Sequence, residues 1–145
     1  MKKIIPKQLG ELLIDCKLIT PPQLEEALAL QKDRGGLLGQ ILVHLKYVTE
    51  EAIAQALTAQ YGFPYLPLGG YEIDVDVAKI IPEHVANQYG LIAVDRVGSI
   101  LTVAMANPLN MQAVEDIEMI THYKVQVFVT TNSDVMAAIK NVYRA

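Results

Sequence analysis

QLGELLIDCKLITPPQLEEALALQ, residues 8–31, reappears as LLGQILVHLKYVTEEAIAQALTAQ, residues 37–60. Leu9/Leu38, Gly10/Gly39, Leu13/Leu42, Lys17/Lys46, Thr20/Thr49, Ala27/Ala56, Leu28/Leu57 and Gln31/Gln60 stand in matching places. One supersecondary unit has been used twice. Two copies are too few for a solenoid, but they build two equivalent half-sites or two equivalent docking faces.

Each copy reads as two helices around a tight corner. Leu9, Leu12, Leu13 and Cys16 recur at helical spacing, as do Leu38, Ile41, Leu42 and Leu45, so each first helix carries one apolar stripe. The corners, Lys17-Leu18-Ile19-Thr20 and Lys46-Tyr47-Val48-Thr49, deliver a threonine where the next helix begins. Thr20 is an N-cap followed by Pro21, and Gln23 completes a capping box. Thr49 plays the same part, with Glu50 and Glu51 placing negative charge in the first turn, against the helix dipole. The second helices are expected to bury Leu24, Ala27 and Leu28, or Ile53, Ala56 and Leu57, and Lys32-Asp33-Arg34-Gly35-Gly36 is read as the spacer between units.

Gly10 and Gly39 do not fit this logic. A glycine inside a helix costs about 1 kcal/mol relative to alanine, so something must approach the backbone at both places. Either two helices pack closely there, or a flat ligand lies against a helix N-terminus whose free N–H groups suit phosphate.

The bulk numbers narrow the function classes. A chain of 145 residues with 52% hydrophobic residues can bury one good core or two small ones. Net charge is −4, and the basic residues are scattered singly, which argues against a duplex nucleic-acid partner. The opening MKKIIPKQLG has the positive end of a signal peptide, but Pro6, Lys7 and Gln8 interrupt it after two isoleucines. No apolar run approaches the roughly 18 residues of a membrane span, so the expectation is a cytoplasmic protein without direct membrane insertion. Cys16 is the only cysteine, which excludes an internal disulfide and cysteine-based zinc sites.

After Gln60 the pattern changes. Tyr61-Gly62-Phe63-Pro64-Tyr65-Leu66-Pro67-Leu68-Gly69-Gly70 reads as a domain seam. Residues 75–81 and 83–89 look like short helices broken at Pro82. Residues 91–97 and 100–106 alternate around Gly98-Ser99, a hairpin turn. Residues 111–121 are helical with Val114, Ile117 and Met119 inward, 125–129 form a strand, and Ser133 caps a last helix carrying Val135, Ala138, Ile139 and Val142. The order β, β, α, β, α is that of a small α+β sandwich. The fold class is therefore α+β: a tandem-repeat helical module over 1–62, a linker over 63–74 and an α+β domain over 75–145.

The paired unit LG-x-x-L-[ILV]…[IV]-T…AL-x-x-Q resembles the N-terminal module of the MshE type. YGFPYLPL, IIPEHVANQYGLIAV, LTVAMANPLN and the closing I-K-x-V-Y resemble the N-terminal domain of type II secretion and type IV pilus assembly ATPases (the GspE, PilB and MshE family). The resemblance covers essentially the whole chain. It implies a non-catalytic regulatory and docking head, joined to the ATPase domain of the same polypeptide and binding the cytoplasmic part of an inner-membrane platform protein. The chain has no G-x-x-x-x-G-K-[ST], hence no phosphate-binding loop of its own.

For some MshE-type heads the resemblance also implies a cyclic di-GMP ligand held across the tandem units. Carried over, it nominates Leu9, Gly10, Leu13, Gln31, Arg34, Leu38, Gly39, Leu42 and Gln60, with Ile14 and Val43 in an apolar bed and Lys7, Lys17 and Lys46 as nearby cations. The family's binding unit opens Arg-Leu-Gly, whereas Gln8 and Leu37 stand at the arginine places, and Lys17 and Lys46 stand where glycine is usual. A guanidinium stacks on guanine and bonds phosphate at once, which neither substitute does, so affinity is expected to suffer. No other cofactor is expected.

Other chemistries lack a constellation. His44, His84 and His122 are far apart in sequence with no partners at metal-ligand spacing. Cys16 completes an apolar stripe and has no paired base. Asp74-Val75-Asp76 is read as helix capping, not as a calcium loop. Met105, Met111, Met119 and Met136 are expected to fill core gaps, and the loop Ala106-Asn107-Pro108-Leu109-Asn110 is a place for partner contact.

Overall fold

The structure, a computed structural model, describes residues 9–143. Lys7 and Gln8, named above, lie outside the described residues. The first unit is helices α1 (Leu9–Asp15) and α2 (Pro21–Arg34), and the second is α3 (Leu38–His44) and α4 (Glu50–Tyr61).

Both corners are built the same way. After α1, Lys17 N–H donates to Ile14 O and Leu18 N–H to Leu13 O, each at 2.9 Å; after α3, Lys46 N–H donates to Val43 O at 2.9 Å and Tyr47 N–H to Leu42 O at 3.1 Å. This paired 5→2 and 6→1 bonding is a Schellman motif, which needs a left-handed residue at its pivot. Lys17 and Lys46 supply it with φ of 61° and 65°. Glycine would sit there without the steric cost that a Cβ incurs, so each lysine holds a strained pivot. Thr20 then caps α2 in a full capping box with Gln23, and the Thr49 hydroxyl accepts from Ala52 N–H at 3.1 Å. The expected spacer is shorter than read, because α2 continues through Arg34 and Gly35 ends it with φ of 74°.

The remaining elements are α5 (Val75–Ala78), α6 (Glu83–Tyr89), β1 (Leu91–Val97), β2 (Ile100–Met105), α7 (Met111–Thr121), β3 (Lys124–Val129) and α8 (Asn132–Tyr143). The sheet order is β1-β2-β3, with β1/β2 antiparallel and β2/β3 parallel. This is the α+β architecture expected, with the last two strands joined by a crossover helix. Asp74 does cap a helix, its side chain accepting from Asp76 N–H at 3.0 Å.

Several local readings are corrected. The first strand does not alternate: Leu91, Ile92, Ala93 and Val94 are all buried, because the register shifts between Ala93 and Asp95 and helices α5, α6 and α8 pack against β1. Thr131, not Ser133, caps α8, its hydroxyl accepting from Asp134 N–H at 3.3 Å. Met105 is fully buried, but Met111 and Met119 are 51% and 75% exposed, and Ala113 with Ile117 forms the inner face of α7. Leu28 is 43% exposed, whereas its counterpart Leu57 is fully buried.

Two cores result. One surrounds the sheet, and the other, around Leu13, Leu42 and Leu57, lies among the four N-terminal helices. Burying one leucine fully contributes about 2 kcal/mol. Val129, at the end of β3, packs in the helical core, so the strand reaches between the two units. The stretch after α4 is anchored there as well: Val129 N–H donates to Pro64 O and Leu66 N–H to Val129 O, each at 2.9 Å. Tyr143 closes the far side, donating its hydroxyl to Ile81 O at 2.7 Å and Ala78 O at 2.9 Å. Burial there, with Glu83 adding to it, pushes its phenol up to about 12.

Candidate ligand site

The parallel pair β2/β3 ends where the helical module docks, and a crevice outside the carboxyl ends of parallel strands is where α/β sheets receive ligands. A cavity of about 160 Å³ opens at that place. Its floor comes from the strand-end loops, with Asn107 and Asn110 after β2 and Thr130, Thr131 and Asn132 after β3. Its other wall comes from the helices, with Leu9 of α1, Gln31 of α2, Leu37 to Val43 around α3, and Glu50 and Ile53 of α4.

Leu37 explains how the units meet. A Cβ built on Gly90 would lie 2.8 Å from Leu37 Cδ1 and 3.2 Å from Asn132 Oδ1, and Gly90 has φ of 66°. Leu37 therefore seats against bare backbone of the α+β unit. One side-chain hydrogen bond reinforces the seat: Ser133 N–H at the start of α8 donates to Glu50 Oε1 at 2.8 Å. The carboxylate thus serves the N-terminal turns of α4 and α8 together, where the helix dipoles favour negative charge.

Of the residues nominated from sequence, Leu9, Gln31, Leu38 and Gly39 gather around the cavity. Arg34 lies in an adjoining groove of about 290 Å³ with Gly35, Gly36 and His44, and the two spaces share Leu37 and Gln40. Leu13 and Leu42 are fully buried and support the helices from beneath. Gln60 is exposed near the end of α4, away from both spaces, while Gln31 Nε2 donates to Gly36 O at 3.0 Å and holds the turn between units. Lys17 and Lys46 are exposed at the corners.

The glycines separate the two readings given for them. A Cβ on Gly10 would meet Leu24 Cδ1 at 2.6 Å, so this glycine lets α2 close on α1. On Gly39 it would meet Leu9 Cδ2 at 3.3 Å and Ile53 Cδ1 at 3.6 Å, so that glycine is also closely packed while lining the cavity. Sequence reasoning missed the polar floor, Thr130-Thr131-Asn132. Three consecutive hydrogen-bonding residues directly after a β-branched strand were the available signal.

The model of the MshEN domain matches residues 61–145, more than half of the chain. The chain belongs to the MshEN domain family. The match falls on the seam and the α+β unit, whereas the MshE-type resemblance was drawn on the tandem units. A similarity to the type IV pilus assembly ATPase PilB of Myxococcus xanthus (strain DK1622) reaches 33% identity over 136 residues. It takes in 94% of this chain but only 24% of that ATPase, so the chain spans about a quarter of the relative's length. A solved structure of MshE with cdg is similar at 27% identity and TM-score 0.69, over 95% of this chain and 100% of that one. The N-terminal domain of XpsE shares the fold at TM-score 0.72 and 16% identity, over 97% of this chain and 96% of that one. This MshEN chain is therefore similar to part of a type IV pilus assembly ATPase and shares the fold of the XpsE N-terminal domain, and among its described residues no helix is long and apolar enough to cross a membrane.

Proposed function

We propose that this chain is a non-catalytic docking and regulatory head of a type II secretion or type IV pilus assembly ATPase, acting in the cytoplasm and binding the cytoplasmic part of an inner-membrane platform protein. The supporting observation is the end of the sheet opposite the cavity. Val97 and Ile100 flank the hairpin turn and are 67% and 42% exposed, and Met119 and Ile120, at the end of α7 that leads into β3, are 75% and 47% exposed. Large apolar side chains grouped outside a core mark an interaction surface. The helical module over 1–62 and the α+β unit over 75–145 would then divide the work, with platform contact at one end and the seam near β3 relaying it to the ATPase domain. Co-purification of the full ATPase with the platform's cytoplasmic part tests this. Binding lost in Val97→Lys with Met119→Lys supports it, and binding unchanged in that pair overturns the placement.

The second reading is a cyclic di-GMP sensor, favoured by the similarity to MshE with cdg and by the clustering of Leu9, Gln31, Leu38 and Gly39 beside the Arg34 groove. Calorimetric titration with cyclic di-GMP, with GTP as control, decides it. Micromolar heat that disappears in Gly39→Val supports the sensor, and silence at high micromolar ligand removes it.

A further inference from the structure

The second helices of the two repeats differ in their charge. Helix α2 carries Glu25, Glu26, Lys32, Asp33 and Arg34, as a solvated helix does, whereas α4 carries no charged residue from Ala52 to Tyr61. Ala54 and Gln55 stand where the first copy has Glu25 and Glu26. A groove of about 430 Å³ runs along this uncharged side, lined by Glu51, Ala54, Gln55, Thr58, Ala59 and Tyr65. The α4 positions are spaced i, i+3, i+4, i+7 and i+8, which is one helix face over two turns. Ala54 forms the floor at 2% exposure, and the lining is mainly apolar.

Tyr65 forms the far wall. Its backbone is pinned to the end of β3 by a parallel bridge to Val129, yet the residue is 43% exposed. Burial pushes its phenol up, and the carboxylates of Asp134, Glu51 and Glu50 push it further, so three negative charges lie near one exposed ring. Among the described residues, no lysine, arginine or histidine lines the groove. A face that is apolar along its length and negative at one end is complementary to a segment that is apolar along its length and positive at one end. Arginine suits that end best, because a guanidinium bonds a carboxylate and stacks on a ring at once. The same negative charge disfavours nucleic acid and anionic lipid.

We infer that the outer face of α4 beside Tyr65 is a docking groove for an amphipathic, arginine-bearing helix of a protein partner. The partner's aliphatic side chains lie over Ala54, Thr58 and Ala59, and its arginine stacks on Tyr65 within reach of Glu51 and Asp134. The groove sits at the Val129 end of β3, whereas Ile100 and the patch around it sit at the Lys124 end. The two surfaces are therefore separate, and the inference rests on neither reading above.

The probe is an alanine-based helical peptide of about 16 residues with one leucine stripe and arginines at one end, titrated into the 145-residue chain and followed by amide chemical shifts. Two control peptides carry glutamate for arginine or glutamine for leucine. The probe should saturate with its largest shifts at 51–59 and 65, and each control should bind about fivefold more weakly or worse. Ala59→Lys should abolish saturation, Tyr65→Leu should weaken the probe about fivefold, and Glu51→Gln with Asp134→Asn should flatten the salt dependence of its binding. No saturation by the probe, equal binding of the glutamate control, shifts centred on 97–100 and 119–120, or Ala59→Lys binding like the parent each overturns the groove. A gain of about fivefold when Lys2→Gln, Lys3→Gln and Lys7→Gln are made together would give the groove to the chain's own lysines and overturn partner docking. Glu51 and Ala59 are exposed on α4, so the Ala59→Lys arm still decides should Tyr65→Leu fail to fold.

Discussion

The two copies of the repeat share their local construction and differ in what they touch. Both corners carry the same Schellman bonds, the same left-handed lysine and the same threonine cap. Yet Leu28 is 43% exposed on α2, while Leu57, its equivalent on α4, is fully buried, because α4 packs against β3 and shares a core with Val129. Pro21 of the first copy begins a free helix end, whereas Glu50 in the same place holds Ser133 of α8. Local sequence thus makes the units alike, and attachment to the sheet makes only the second one structural cement.

The comparison breaks most visibly at the paired leucines. Leu57→Ala should lower unfolding stability by about 3 kcal/mol and Leu28→Ala by less than about 1 kcal/mol, read from urea denaturation of each variant. Similar losses at the two positions would mean that α2 is covered in solution.

Next in size come the glycines. Gly10→Ala drives a methyl into Leu24 and should cost about 1 kcal/mol after the gain in helix propensity is counted, while Gly39→Ala should stay within about 0.5 kcal/mol of the parent. Thermal midpoints of the two variants check the difference, and a larger loss at Gly39 would reverse the assignment of the tighter contact.

The lysines test the likeness of the copies. Lys17→Gly and Lys46→Gly relieve the same left-handed strain, so each should raise stability by about 0.5–1 kcal/mol, and the pair should add. Unequal gains would show that one corner is held by tertiary contacts. Last, Glu50→Gln should cost about 0.5 kcal/mol or slightly more, by replacing a charge-assisted bond to Ser133 N–H with a neutral one, and should speed exchange of that amide. No change in the exchange rate would mean that the seat on Gly90 alone holds the units together.

Much of this molecule is written in short-range patterns. The repeat, the threonine caps, the hairpin at Gly98-Ser99 and the order of strands and helices all follow from spacing and turn chemistry within a few residues, because caps, turns and amphipathic stripes are local hydrogen-bonding and burial rules. The burial of β1 was not legible, since a bulge and three covering helices override its alternation. Two of the four methionines expected to fill core gaps were misplaced for a related reason: flexible apolar side chains carry no signal of which face they take, and Met111 and Met119 turned outward.

The sequence by itself determined that this chain is two like helical units followed by a small α+β sheet, and it carried the motifs that resemble the MshEN family. Only the tertiary structure decided which copy of the repeat is buried and why leucine stands at residue 37. It also decided that Thr130, Asn132 and Glu50 line one cavity. These outcomes depend on residues brought together from opposite ends of the chain, whose contacts form only when the two units dock, and no local rule of spacing or propensity encodes such a meeting.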